Sequence, residues 1–186
     1  DDIKKLALRT NGKAMIDIRW QFYDGAFRIN ENYQYHWNML KYNIKPYLDS
    51  VVGFYIDEPY HGMNMGHNAT ANEKYESLKF VADFLKNDPD IQGKKLLIVF
   101  AFPEVKESMT IPESVDWVGL DKYSVEFSEI RELNRILKSK SVDIYPHQRL
   151  YLVPQGFITK DTDTDPKVAN WMQEYYDYAR SDPSVI

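Results

Sequence analysis

Val-Val-Gly-Phe-Tyr-Ile-Asp-Glu-Pro-Tyr, residues 51–60, is the stretch that decides the fold. It opens with β-branched and aromatic residues around Gly53, the pattern of a buried strand with close backbone approach. Two adjacent carboxylates follow, Asp57 and Glu58, and Pro59 ends the run because it has no N–H to give to a sheet ladder. Carboxylates at the tip of an apolar strand are costly unless they are paired or act on a ligand. Two accounts compete: Asp57 caps the following loop while Glu58 pairs with a nearby Arg or Lys, or the two carboxylates work on a bound molecule.

Working outward, Lys13–Trp20 reads as a strand that runs into Gln21, Phe22, Tyr23, Asp24 and Gly25. Before it, residues 1–11 carry Ile3, Leu6 and Ala7 at helical spacing, and Asn11-Gly12 stops them. Asn30 caps a helix marked by Trp37, Leu40, Ile44, Tyr47 and Leu48, and Pro46 should loosen its last turn. Thr70-Ala-Asn-Glu73 is a capping box; its helix carries the stripe Tyr75, Leu78, Ala82 and Leu85 and ends at Asn87-Asp88-Pro89. Lys95–Phe102 is an almost continuous apolar run, as in a parallel strand buried on both faces. Ser114–Tyr123 and Arg149–Val153 are further strands. Ser128 is expected to cap the helix of Ile130, Leu133 and Leu137, and Asp165-Pro166 to open the last helix. Only a short helix fits between Phe102 and Val115.

Composition sets bounds. The 186 residues suffice for a single domain, 1–186, with 44% hydrophobic and 27% charged residues as in ordinary globular proteins. A net charge of -5 with scattered cations argues against a nucleic-acid partner. No apolar run approaches the ~18 residues of a membrane span, and the charged first residues show no signal peptide. There is no cysteine, so disulfides and thiolate chemistry are excluded. Aromatic residues make up 15%, including 14 Tyr and 4 Trp; rings with polar tips fill cores and also form flat platforms suited to sugars.

Strand–helix alternation gives an α/β protein with a parallel sheet and right-handed crossovers. A doubly wound nucleotide-binding sheet would need a Gly-rich first turn, and neither GxGxxG nor GxxxxGKS occurs, so no cofactor is expected. Polar or aromatic groups end nearly every strand: Trp20 and Gln21, Asp57 and Glu58, Glu104, Asp121 and Tyr123, Gln155. That pattern points to a (β/α)8 TIM-type barrel. Five strands against the eight of a full barrel imply an incomplete one, about strands 3 to 7, the missing strands coming from the rest of a longer chain or from another chain.

Gly53-Phe-Tyr-Ile-Asp57-Glu58-Pro59 resembles the fourth strand of retaining (β/α)8 glycoside hydrolases, the clan of cellulases and β-galactosidases. The family pattern there is Asn-Glu-Pro with Glu as acid/base, which implies that role for Glu58, with Asp57 replacing Asn. Val115–Tyr123 is similar to the sixth strand of the clan, where a Tyr reaches the site. Arg149–Phe157 is similar to the seventh, which carries the nucleophilic Glu; Gln155 stands at about that place, and an amide is a poor nucleophile. Gly-Phe-Tyr-Ile-Asp-Glu is also similar to the chitinase-type fourth strand, Gly-x-Asp-x-Asp-x-Glu, with the Glu one position early. There the substrate's acetamido group is the nucleophile and one acid suffices.

The resemblance implies hydrolysis of an oligo- or polysaccharide, with Glu58 as general acid and Asp57 or Asp121 as second carboxylate. Tyr123 and Gln155 are expected to position the substrate, and Trp20, Tyr55 and Tyr60 to stack on or border the sugar. Neighbours on a strand alternate faces, so an inward Glu58 would send Asp57 outward. The alternative, suggested by Gln155, is a barrel that binds glycans without hydrolysing them. A metal would require His61 or His67 to turn inward beside a carboxylate. Their spacing fits no standard motif, and surface histidines are the simpler account, so no metal is expected. Asp161–Asp165 lacks the Gly and distal Glu of an EF-hand and reads as a helix entrance.

Overall fold

Strands form where the apolar runs lie: β1 (Ala14–Asp17), β2 (Val51–Asp57), β3 (Lys95–Ala101), β4 (Trp117–Asp121) and β5 (Arg149–Leu152). The structure is a computed structural model and describes Lys5 and residues 12–24, 28–60, 69–123, 126–154 and 164–186. All four pairings are parallel and the strand order is β1-β2-β3-β4-β5. Gly53 lets β2 lie against β3, since a Cβ there would collide with the Lys95 carbonyl.

Five helices accompany the sheet: α1 (Arg19–Phe22), α2 (Tyr33–Ile44), α3 (Ala71–Lys86), α4 (Phe127–Lys140) and α5 (Asp165–Ser181). The capping box that starts α3 is formed, with Glu73 N–H donating to Thr70 Oγ1 at 3.2 Å and Thr70 N–H to Glu73 Oε2 at 2.7 Å. Pro46 falls where α2 gives way to a 3-10 turn, Lys45–Ser50. Two helix starts differ from expectation. Ser128 lies inside α4, which begins after Glu126, and α5 is capped by Thr164, whose hydroxyl accepts from Lys167 N–H. The segment read as an N-terminal helix lies outside the described residues apart from Lys5.

Strand alternation sorts the core. Phe54, Ile56, Ile98, Phe100, Val118 and Leu120 join Trp37 of α2, Leu78 of α3 and Ile130 of α4 in one buried cluster. Trp37 anchors it, 5.6 Å from the Phe22 ring and 5.2 Å from Phe54. Burying such a ring contributes roughly 3 kcal/mol at ~25 cal/mol per Å². Its indole N–H donates to Asp88 Oδ2 at 2.6 Å, so no polar atom is stranded.

Among the described residues the sheet is open: β1 pairs only with β2 and β5 only with β4, β5 making one further isolated bridge between Leu150 and Val185. The incomplete (β/α)8 barrel expected from the sequence is therefore corrected to an α/β fold with a five-stranded all-parallel sheet. Polar strand ends misled because any parallel sheet collects ligand-facing groups at its carboxyl ends, closed or not. Closure depends on strand number, tilt and stagger, which tip residues do not encode.

Candidate functional site

The carboxyl ends of β1, β2 and β4 bring together Asp17 and Asp57, paired with one guanidinium, and Glu58 and Asp121, which interact with each other. β1 ends at Asp17, earlier than expected, and Asp17 Oδ1 accepts the Arg19 N–H at 2.9 Å as α1 begins. Arg19 then turns back over the sheet, 3.8 Å from Asp17 Oδ2 and 3.7 Å from Asp57 Oδ2. Its guanidinium carbon sits 4.9 Å from the ring of Trp20, which is 61% exposed and presents a free aromatic surface beside the cluster.

At the end of β2 the backbone leaves the extended region. Glu58 has φ 44°, the left-handed conformation that non-glycine residues seldom adopt, and its N–H donates to the Val99 carbonyl at 2.7 Å. This corrects the expectation from alternation. Asp57 and Glu58 do not diverge to opposite faces; both interact with Asp121. Strain at a strand tip, held by the surrounding structure, is a feature concentrated at functional sites.

Asp121 closes the group from β4. It shares a hydrogen bond with the Glu58 carboxyl and accepts another from the Tyr123 hydroxyl. Two neighbouring carboxyl groups disfavour ionising both at once. The Asp121 carboxyl is accordingly pushed up to about 6, first by burial, then by the Glu58 charge and the bond to it; the Tyr123 bond pulls it back in part. Asp57 is also raised, chiefly by burial and further by Asp121 and Asp17, against the opposing pull of Arg19. Burial and Asp121 push the Tyr123 hydroxyl up to about 12, and burial with Asp17 and Asp57 raises Tyr55.

Glu58, Asp57, Asp121, Tyr123, Tyr55 and Trp20 thus belong to one neighbourhood. Tyr60 does not: it is 6% exposed, packs 5.3 Å from the Phe100 ring and donates to the Thr110 carbonyl at 3.4 Å, so its ring is core wall rather than a sugar platform. Glu104 is held 3.5 Å from Lys74 Nζ, a structural pair rather than a partner for Glu58. Gln155, His61 and His67 lie outside the described residues. Among the described residues, no group of three or more His, Asp or Glu side chains is arranged to hold a metal ion, and no helix is long and apolar enough to cross a membrane. Sequence reasoning missed Asp17 and Arg19, whose signal was the Asp-Ile-Arg-Trp run at the first strand end.

Comparison with models of known protein families, with curated proteins and with solved structures found no match.

Proposed function

We propose that the cluster is the acid centre of a carbohydrate hydrolase acting on an oligo- or polysaccharide. The observation that carries this is the juxtaposition of Asp121 with Glu58, with Asp121 pushed up to about 6 by burial and the Glu58 charge. A general acid works best when its pKa lies near the operating pH, and a like-charge partner is one way to reach it. Glu58 donates to the glycosidic oxygen, Asp121 keeps the pair protonated, and Asp57 beside Arg19 supplies negative charge for the cationic transition state. Tyr123 orients Asp121, while Trp20 and Tyr55 border the sugar.

Carboxyl separation refines the chemistry. Retaining enzymes space their two groups by ~5–5.5 Å and inverting ones by ~6.5–9.5 Å. Glu58 and Asp121 interact through a hydrogen bond and act as one acid. This supports the route in which an acetamido group of the substrate is the nucleophile. The same contact favours a second reading, glycan binding without hydrolysis.

Turnover of aryl glycosides with and without a 2-acetamido group, by the full protein and by Glu58→Gln, separates the two. Hydrolysis confined to acetamido sugars, reduced about 10²–10⁴-fold in the variant, is expected. Retained sugar binding with no turnover by the wild type would leave the binding reading alone.

A further inference from the structure

A cavity of about 180 Å³ lies between the start of α3 and the segment that follows β3. Tyr60 and Met109, both buried, form its apolar floor, and Lys74, Glu104, Lys106 and Ser108 line it. Tyr60 follows Glu58 by two residues in the chain and so ties the cavity to the end of β2.

The charges of cavity and acid centre are opposite. The acid centre holds four carboxylates and one cation, Arg19, whereas the cavity sets two lysines beside Glu104. Lys74 is committed within the fold: its Nζ donates to the Tyr60 carbonyl at 2.7 Å and faces Glu104 at 3.5 Å. Lys106 is exposed, and no carboxylate among the described residues pairs with it. One uncommitted cation and the hydroxyls of Ser108 and Thr110 are what a charged substituent needs: an ion pair and hydrogen-bond donors.

We propose that this cavity receives an anionic substituent, a carboxylate or a sulfate, on a sugar next to the one over Glu58, so that the substrate is an acidic glycan. This rests on the glycan reading above and adds to it a binding register. An anionic group placed over Asp57, Glu58 and Asp121 is repelled, and the same group shifted by one sugar is attracted, so charge alone selects the alignment.

Calorimetric titration of the full protein tests it with three probes that all carry 2-acetamido sugars: oligosaccharides alternating these with hexuronate, their methyl esters, which keep the rings and lose the charge, and sulfated oligosaccharides of the same length. The wild type is expected to bind one anionic probe about fivefold tighter than the ester, as for a single exposed ion pair. Lys106→Gln removes that advantage, Lys106→Arg restores it, and ~1 M salt suppresses it. Which anionic probe shows the Lys106-dependent gain identifies the substituent. Equal binding of acid, sulfate and ester by the wild type overturns the proposal while leaving the glycan reading intact, as does equal weakening of every probe by Lys106→Gln. No binding of any probe overturns both.

Discussion

The two ends of the same parallel strands treat aspartate in opposite ways. At the amino ends, each buried Asp is surrounded by donors. Asp116 accepts the Leu96 N–H at 3.0 Å and lies 3.4 and 3.3 Å from the Lys86 and Lys95 ammonium groups. Asp88 accepts from Trp37 and, at 2.8 Å, from Lys41; burial pushes its carboxyl up, but these bonds outweigh burial and hold it below the usual range. At the carboxyl ends, Arg19 pairs with Asp17 and Asp57 while Asp121 faces Glu58, and Asp57 and Asp121 are raised. Acids with donors staple strands; Asp57 and Asp121, beside other acids, hold their protons more readily. The contrast is sharper evidence for a working site than the presence of carboxylates at a strand tip, because both edges have those.

The largest effect that could break this comparison is kinetic. Glu58→Gln should lower kcat by about 10²–10⁴-fold with an unchanged unfolding midpoint. A variant that loses stability in proportion to activity would make Glu58 a structural residue. Next comes Asp116→Ala, which strands the Leu96 N–H and leaves Lys86 and Lys95 without their common partner. Chemical denaturation should show a loss of ~2–3 kcal/mol, with activity per folded molecule preserved. A loss below ~0.5 kcal/mol would remove the distinction between the edges from the stability side.

Titration sharpens the comparison further. Asp121 has a folded pKa of about 6 against an ordinary 3.8, so its neutral form is favoured in the folded state. The raised value therefore costs nothing below pH 3.8, and a penalty grows between 3.8 and 6 and stays above it. Discounted for its half-exposed position, that penalty is ~1 kcal/mol, and Asp121→Asn should gain that much at pH 8 and nothing at pH 3.5. Asp88 has the opposite sign: its depressed pKa contributes stability above 3.8 that is lost as pH falls through the folded value, so Asp88→Asn should cost stability at pH 7 and less in acid. Parallel pH profiles for the two variants would erase the contrast. The smallest effect is Glu58→Gly, which relieves the left-handed backbone and should raise stability by ~0.5–1 kcal/mol in thermal unfolding while abolishing turnover.

Much of the fold was legible because it is local. Val51–Asp57 begins and ends where its β-branched run does, the Thr70–Glu73 box is formed, and Pro46 loosens the helix it interrupts. Closure was not legible, since it is set by how many strands pair and how they tilt. The conformation of Glu58 was not either. Alternation holds only for extended backbone, and the left-handed turn at Glu58 accompanies a hydrogen bond from its N–H to Val99, a residue of another strand. Tyr60 and Tyr55 look alike as aromatic neighbours of the carboxylates. Only the packing against Phe100 sends Tyr60 into the core while Tyr55 stays beside Asp17 and Asp57. Arg19 escaped notice because its role depends on β1 stopping at Asp17.

That the strands lie side by side in the order of synthesis has a kinetic meaning. Each strand after the first meets an edge that has already formed and needs only one crossover to reach it, which keeps the entropy of chain closure low at every step. The sheet can thus lengthen by accretion as the chain emerges, the amino-terminal units folding first. The acid centre draws on β1, β2 and β4, so Glu58 can meet Asp121 only once the fourth strand has docked; assembly of this carboxyl pair is a late event in the folding of the chain.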